Sequence, residues 1–583
     1  MTGPAISQPS KLRADRYKWT ALSNTTLGIF MATLDSSIVI ISLPAIFRGI
    51  RLDPLAPGNV GYLLWMLMGY LVVTAVLVVT FGRLGDIFGR VKMYNLGFAA
   101  FTAASIGLSL TPGIGTDGAM ELIILRVLQG IGGALLMANS AAILTDAFPP
   151  EELGKAMGIS MIAAIAGSFI GLVLGGVLAD INWRLVFWVN VPFGLFGTVW
   201  AYLKLREVGA RTAARVDWWG NLSFGAGLIM VLIGITYAVM PYRQHTMAWG
   251  RPFVLDMLIG GLIMLVLFAY IERRVPQPMF DISLFRIREF TAGNMAGLLS
   301  AIGRGGLQFM LIIWLQGIWL PQHGYAFERT PLWAGIYMLP ITVGFLIAGP
   351  MSGWLSDRYG ARPFATGGML LGALTFGLLM LLPANFSYPS FAALLLINGI
   401  GFGLFTAPNT ASIMGSVPAD QRGASSGMRA TFMNSGMVLS IGLFFSLMVV
   451  GLAAVLPHTM YHGLVAQGVP ADAATRLAHI PPVGSLFAAF LGYNPMKTLL
   501  GPKLLASLPA GKAAYLTGRQ FFPSLISGPF IHGLRIAFSA SLVMSLIAAA
   551  ASWLRGSGET EEIAEPADLM AQTLTIEEEV VTA

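Results

Sequence analysis

Long apolar stretches alternate with short polar segments along almost the whole chain. A helix needs about 20 mostly apolar residues to cross the hydrocarbon core of a bilayer. By that criterion the pattern predicts fourteen spans, which begin near Leu22, Gly61, Met93, Glu121, Met157, Leu185, Gly220, Phe253, Thr291, Leu332, Phe364, Pro389, Met428 and Leu534. The predicted fold class is therefore an all-α polytopic membrane protein.

The basic residues predict how these spans are oriented. An even number of spans places both termini on one side, and Lys and Arg are enriched in cytoplasmic loops. When the N-terminal segment 1–20 is placed inside, the inside segments carry most of the 35 Lys and Arg. We therefore expect a multi-pass protein with both termini in the cytoplasm, including an acidic tail over 556–583.

Composition agrees with a lipid environment. Hydrophobic residues make up 56% of the chain and charged residues 11%, whereas a soluble domain has about 25% charged residues. The net charge of +7 does not indicate a nucleic-acid partner, because the basic residues follow the inside segments. The absence of Cys excludes disulfides and thiolate metal sites. The six His are not at metal-ligand spacing, so we expect no metal or cofactor.

One interruption, over residues 456–533, is much longer than the others and lies outside in the predicted orientation. Its apolar patches, Ser485–Tyr493 and Phe521–Ile526, alternate with Pro and Gly, and it is too apolar for a free linker. We expect short amphipathic helices that lie against the membrane or over the outer mouth of the protein.

Two polar segments on the predicted inner side repeat one pattern, 271 residues apart. The first holds Gly82, Asp86, Gly89 and Arg90, and the second holds Gly353, Asp357, Arg358 and Gly360. Glycine permits a sharp chain reversal there, and the aspartates can accept hydrogen bonds at a neighbouring helix start. The repeat predicts two six-helix halves, residues 21–205 and 273–555, with a peripheral helix pair inserted over 206–272. Parallel repeats of this kind hold substrate between the halves, near the membrane midplane.

Several motifs resemble those of the major facilitator superfamily, specifically its fourteen-helix drug:proton antiporters of the EmrB/QacA type. The segment over 82–90 resembles the superfamily's signature loop. Further similar motifs are Leu34-Asp35…Leu43-Pro44 in span 1, Arg126-x-x-Gln129-Gly130 in span 4, and Trp183-Arg184…Asn190-x-Pro192 at the start of span 6. The resemblance implies a secondary transporter that uses a proton gradient and has its gating loops at the repeated segments.

Span 5 departs from the antiporter pattern at one position. The family motif Gly-x-x-x-Gly-Pro-x-x-Gly-Gly is represented by Gly167, Gly171, Leu172, Gly175 and Gly176. The small residues still predict a close helix–helix seam, whereas the kink that proline introduces is absent. Helix packing is therefore expected to be retained. Whether transport is strictly coupled to proton antiport is left undecided by the missing proline.

Charges within the spans are the candidate functional groups, because each is costly in a bilayer. Asp35 lies in the middle of span 1. A carboxyl in a low-dielectric cavity can exchange a proton near neutral pH, so we predict that Asp35 is the proton site, for which a cationic substrate would compete. Arg126 resembles the family's coupling arginine and would act electrostatically, since it keeps its proton. Arg304 and Gln308 share one face of span 9 and are candidates to line the cavity.

These observations favour one function over others. A pump driven by ATP would need a phosphate-binding loop, and the sequence has none; it also offers no constellation for an enzyme. We predict a bacterial cytoplasmic-membrane exporter of hydrophobic or amphiphilic, cationic compounds that works by alternating access. Export of an endogenous lipid or amphiphile is the alternative. An adaptor protein is compatible with either function but not indicated.

Overall fold

A computed structural model describes residues 11–53, 56, 58–208, 217–238, 247–276, 278, 280–418 and 422–555. The predicted acidic tail over 556–583, the first half of the predicted N-terminal segment 1–20, and parts of the predicted inserted unit 206–272 lie outside the described residues. For Asp357 and a few other helical residues only the backbone is described.

Fourteen helices of the described chain are long and apolar enough to cross a membrane, as predicted. We number them span 1 to span 14: Arg16–Gly49, Asn59–Phe88, Arg90–Leu110, Gly115–Ala147, Ala156–Ile181, Leu185–Lys204, Trp218–Ala238, Pro252–Glu272, Arg288–Gln322, Phe327–Ser356, Ala361–Met380, Tyr388–Gly415, Ser425–Ala466 and Phe521–Leu554. We call the end of the bundle that carries residues 467–520 the outer end and the opposite end the inner end.

The packing repeats in the two halves. In the first half, span 1 packs along span 5, span 4 packs against spans 2 and 3, and span 3 also packs against span 6. In the second half, span 9 packs along span 13, span 12 packs against spans 10 and 11, and span 11 also packs against span 14. The corresponding helices therefore make corresponding contacts, which is what a repeated six-helix unit requires.

The inserted pair, spans 7 and 8, is less peripheral than the sequence suggests. Span 7 packs against span 2 of the first half and span 13 of the second. Thr80 of span 2 donates a hydrogen bond to Asn221 of span 7, and a Cβ on Gly442 of span 13 would lie 3.0 Å from Ile235 of span 7. Span 7 therefore covers a seam between the halves, while span 8 lies on its far side.

The long outer segment is shorter than predicted, because spans 13 and 14 continue beyond the expected boundaries. Span 13 has 42 residues, which at 1.5 Å per residue is about 63 Å, roughly twice the hydrocarbon thickness. Between Ala466 and Phe521 lie four short helices: Ala471–Ala478, Pro482–Phe490, Met496–Ser507 and Ala510–Thr517.

One of these helices, Pro482–Phe490, is buried along its entire length. It contacts spans 2, 13 and 14 and the π-helical turn Leu315–Trp319 of span 9. Phe487 packs against Phe445 of span 13, with ring centroids 5.1 Å apart. We call Pro482–Phe490 the plug helix, because it lies among the outer ends of spans from both halves rather than on the membrane surface.

Candidate functional site

Asp35 lies at the centre of a hydrogen-bonded network inside the first half. Its Oδ2 accepts a hydrogen bond from Arg126 Nη1 at 2.5 Å. Its Oδ1 accepts from Gln129 Nε2 at 2.9 Å and from Asn190 Nδ2 at 2.8 Å. The carboxylate from span 1 is thus held by side chains from spans 4 and 6. An ion pair at this depth needs such additional hydrogen bonds to offset the loss of hydration.

A second set of side chains encloses this network. Gln129 Nε2 also donates to Ser105 Oγ of span 3 at 2.9 Å, and the Arg126 guanidinium lies 4.6 Å from the centre of the Tyr70 ring of span 2. Asp35 is 0% and Arg126 1% exposed. In this conformation Asp35 has no accessible surface, so a substrate can reach it only after the helices move.

The pair predicted from sequence, Asp35 and Arg126, is therefore in direct contact. Sequence reasoning did not nominate Gln129 and Asn190, although both belong to the motifs that carried the family resemblance. Both have amide side chains and lie in motifs that also carry a charged residue, and this combination could have identified them. No comparable signal was available for Tyr70 or Ser105.

The glycines of span 5 form a seam beside this network. Gly167, Gly171 and Gly175 lie against span 1, and a Cβ on Gly171 would stand 2.6 Å from the carbonyl oxygen of Leu34. Because Leu34 immediately precedes Asp35, the helix that carries the carboxylate is fixed by backbone contact with span 5. Leu172, at the position of the family's proline, lies within a continuous helix, Pro150–Ile181.

The fourth glycine of the motif lies in a different contact. A Cβ on Gly176 would collide with the backbone of Leu332 in span 10. Conversely, a Cβ on Gly335 of span 10 would stand 2.6 Å from the carbonyl oxygen of Leu172. Spans 5 and 10 belong to different halves, so Gly176 and Gly335 allow the two halves to touch at the outer end.

The first repeated segment is largely helical rather than a loop. Span 2 continues through Gly82 and Asp86 to Phe88, and the chain reverses at Gly89 alone, with φ +109°. Arg90 begins span 3; its guanidinium binds Asp86 at 2.8 Å and Asp146, at the end of span 4, at 2.5 Å. These ion pairs tie the inner ends of spans 2, 3 and 4 together.

The second segment has the same backbone, but no ion pair joins its described side chains. The helix Leu339–Tyr359 contains Gly353, and the chain reverses at Gly360, with φ +81°. The side chain of Asp357 lies outside the described residues. Ala361 occupies the place of Arg90, and the exposed Arg358 lies over the Trp354 ring. The described ion pairs therefore tie the inner end of the first half and not that of the second.

The network around Arg90 can be tested with Asp86→Asn. We expect the substitution to slow transport about tenfold, because weakening a state-dependent contact by about 1.4 kcal/mol changes a rate by that factor. Transport by purified protein in vesicles measures the effect, and Asp256→Asn, at an exposed site in span 8, is the control. A wild-type rate for Asp86→Asn would exclude a gating role for this network.

The second pair of candidates lies in the other half. Arg304 and Gln308 of span 9 both keep part of their side-chain surface accessible. The Arg304 guanidinium lies 4.7 Å from the ring centre of Phe345 in span 10 and 5.7 Å from that of Phe402 in span 12. The structure does not bring Arg304 into the Asp35 network.

The fold and this arrangement define a class of protein: a membrane transporter with two six-helix halves and fourteen spans. The sequence profile of the Major Facilitator Superfamily matches residues 25–441. The chain belongs to this superfamily, and it is a transporter of small molecules rather than an enzyme.

Similar proteins include a resistance and export protein and a multidrug resistance protein. The chain is 27% identical to the tetracenomycin C resistance and export protein of Streptomyces glaucescens, over 96% of this chain and 95% of that protein. It is 31% identical to the multidrug resistance protein Stp of Mycobacterium tuberculosis (strain CDC 1551 / Oshkosh), over 76% and 78% of the two chains.

A solved structure shares the fold. A bacterial homologue of the human lysosomal transporter Spinster, crystallised in an inward-facing and unoccupied conformation, aligns with a TM-score of 0.56 and 16% identity. The alignment covers 92% of this chain and 97% of that one.

Proposed function

We propose that this protein exports hydrophobic or amphiphilic small molecules across the bacterial cytoplasmic membrane in exchange for protons, with both termini inside. The observation that carries the proposal is the sealed contact of Asp35 with Arg126, Gln129 and Asn190 in the middle of the first half. The names of two similar proteins, an export protein and a multidrug resistance protein, support export as the direction.

Asp35 is suited to couple protons because its two protonation states demand different surroundings. The ionised carboxylate attracts Arg126, which keeps its own charge throughout. Protonation removes that attraction and leaves a guanidinium buried without a counter-ion, a state that is costly at this depth. The proton therefore favours a second arrangement of spans 1, 4 and 6, in which Arg126 has moved or is hydrated.

Span 1 connects this change to the contact between the halves. Its backbone is fixed against the glycine seam of span 5, whose Gly176 meets span 10 at the outer end. The carbonyl oxygen of Ile41 in span 1 also accepts a hydrogen bond from Gln316 Nε2 of span 9 at 3.0 Å. A shift of span 1 that follows protonation would act directly on these outer contacts, as alternating access requires.

The plug helix adds a closure at the outer end. The guanidinium of Arg48, near the end of span 1, donates to the carbonyl oxygen of Leu491 at 3.5 Å, directly after this helix. A Cβ on Gly317 in the π-helical turn of span 9 would lie 3.2 Å from the Phe490 backbone. The plug helix thus contacts both halves and would have to adjust when the outer end opens.

The proposal is tested by transport in vesicles that contain only the purified chain. A lipophilic cationic dye and a lipophilic anionic dye are supplied in parallel, with and without an imposed pH gradient. We expect accumulation of at least one dye that needs the gradient and disappears when a proton ionophore collapses it. Equal rates with and without the gradient would exclude proton exchange, and the absence of an adaptor from the assay tests whether one is needed.

A further inference from the structure

Arg304 lies deep within the second half. It lies near the middle of span 9, which runs from Arg288 to Gln322, between the rings of Phe345 and Phe402. Burial surrounds it with protein, yet its side chain keeps some accessible surface. Arg304 is therefore surrounded by protein but not completely closed off.

The guanidinium of Arg304 makes no hydrogen bond and no ion pair with any residue that the structure describes. Two aromatic faces attract a cation but satisfy none of its five N–H donors. A cation in the middle of a bilayer ordinarily pairs with an acceptor. The acceptor missing here would therefore come from outside the chain.

The carboxylate of Asp35 does not supply the missing acceptor. Asp35 is in the other half and is fully engaged by Arg126, Gln129 and Asn190. The interior surface around span 9 thus presents a positive charge to a cargo. This arrangement disfavours the cationic cargo expected from the sequence, because that expectation required Asp35 to be open to the cargo.

Neighbouring side chains describe the rest of such a site. Gln308 lies one turn further along the same face as Arg304 and makes no hydrogen bond within the described chain. Met437 of span 13 lies beside Gly305 and is 38% exposed. Methionine offers an adaptable apolar surface next to the charge, whereas Phe345 and Phe402 are buried, 5% and 2% exposed, and pack against the guanidinium.

We propose that Arg304, assisted by Gln308, binds the oxyanion head group of an amphiphilic cargo, whose apolar body lies along Met437. A guanidinium binds carboxylate or phosphate through two parallel hydrogen bonds, so the head group is one of these two. The inference rests on the proposed export function and adds the charge of the cargo to it.

The test is equilibrium binding to the purified full chain without any gradient. Three fluorescent amphiphiles share one tail and differ in head group: carboxylate, phosphate monoester and trimethylammonium. We expect the wild type to bind an oxyanion probe at least about tenfold more tightly than the ammonium probe, one decade being about 1.4 kcal/mol. Whichever oxyanion probe binds more tightly identifies the head group.

The variants separate recognition from folding. Arg304→Gln should lose the oxyanion preference and keep its affinity for the ammonium probe, which also shows that it is folded. Arg304→Lys should retain part of the preference, because it keeps the charge without the planar pair of donors. Arg273→Gln, at an exposed site after span 8, should behave as the wild type.

Two results would overturn the inference. One is a wild type that binds the ammonium probe more tightly than both oxyanion probes, a comparison that needs no variant to fold. The other is an Arg304→Gln protein with unchanged oxyanion affinity. Because no gradient is present, neither result bears on proton exchange, whereas a failure of gradient-driven transport would leave this binding result intact.

Discussion

Asp35→Asn is expected to reduce gradient-driven transport to the level of protein-free vesicles. Asparagine still fits the space among Gln129 and Asn190, but it cannot be ionised and so cannot alternate between two charge states. Removing one partner of a buried ion pair also leaves the other charge uncompensated, which typically costs about 3–5 kcal/mol. A lowered thermal unfolding temperature should therefore accompany the loss of transport.

A double variant separates the loss of coupling from the loss of stability. Asp35→Asn with Arg126→Gln removes both charges, and replacing a buried pair by neutral groups is often close to neutral in stability. We expect the unfolding temperature to recover most of its wild-type value while gradient-driven transport stays absent. If transport returned together with stability, the pair would serve to hold helices together and not to carry protons.

Gly176→Val should have the second largest effect. The new side chain would meet the backbone of Leu332, and backbone atoms cannot give way unless spans 5 and 10 separate. Overpacking costs about 1–3 kcal/mol, and here that cost falls on the state in which the outer ends touch. Because the protein would remain open on the outer side, we expect export to fall at least about tenfold. A tenfold change in rate needs only about 1.4 kcal/mol of this cost.

The same helix provides a matched control for this substitution. A Cβ on Gly158 would meet no atom within 4 Å, so Gly158→Val should transport at the wild-type rate. The chain has no Cys, and spin labels at Ile181→Cys and Leu381→Cys, both exposed at the outer end, report the separation of the halves. We expect the distance between the two labels to increase in Gly176→Val and not in Gly158→Val. An unchanged distance in Gly176→Val would show that the contact between spans 5 and 10 does not control closure of the outer end.

The sequence was sufficient for the architecture because hydrophobic length is a local property. All fourteen predicted spans are present, and the pattern repeated 271 residues apart corresponds to two chain reversals, at Gly89 and Gly360. The residues between Gly82 and Phe88 were expected in a loop but are helical, since one glycine with positive φ is enough to reverse the chain. Polar side chains at the inner end do not stop a helix when the aqueous phase can hydrate them.

The site was harder to predict because it depends on contacts between distant helices. Asp35 and Arg126 were nominated from their cost in the membrane, but nothing local shows that Asn190, 155 residues away, also binds the carboxylate. Whether the helix that forms the plug lies against the membrane or over the outer mouth was left open for the same reason. An apolar segment outside the membrane can cover lipid or protein, and only the tertiary structure distinguishes them.

Proton movement measured during export is the decisive test of proton exchange through Asp35. Vesicles are loaded with a pH indicator. A concentration gradient of the transported dye is imposed, and the pH is the same on both sides at the start. We expect the wild type to move protons in the direction opposite to the exported dye and the Asp35→Asn/Arg126→Gln protein to move none. Export by the wild type without proton movement, or continued exchange by the double variant, would contradict it.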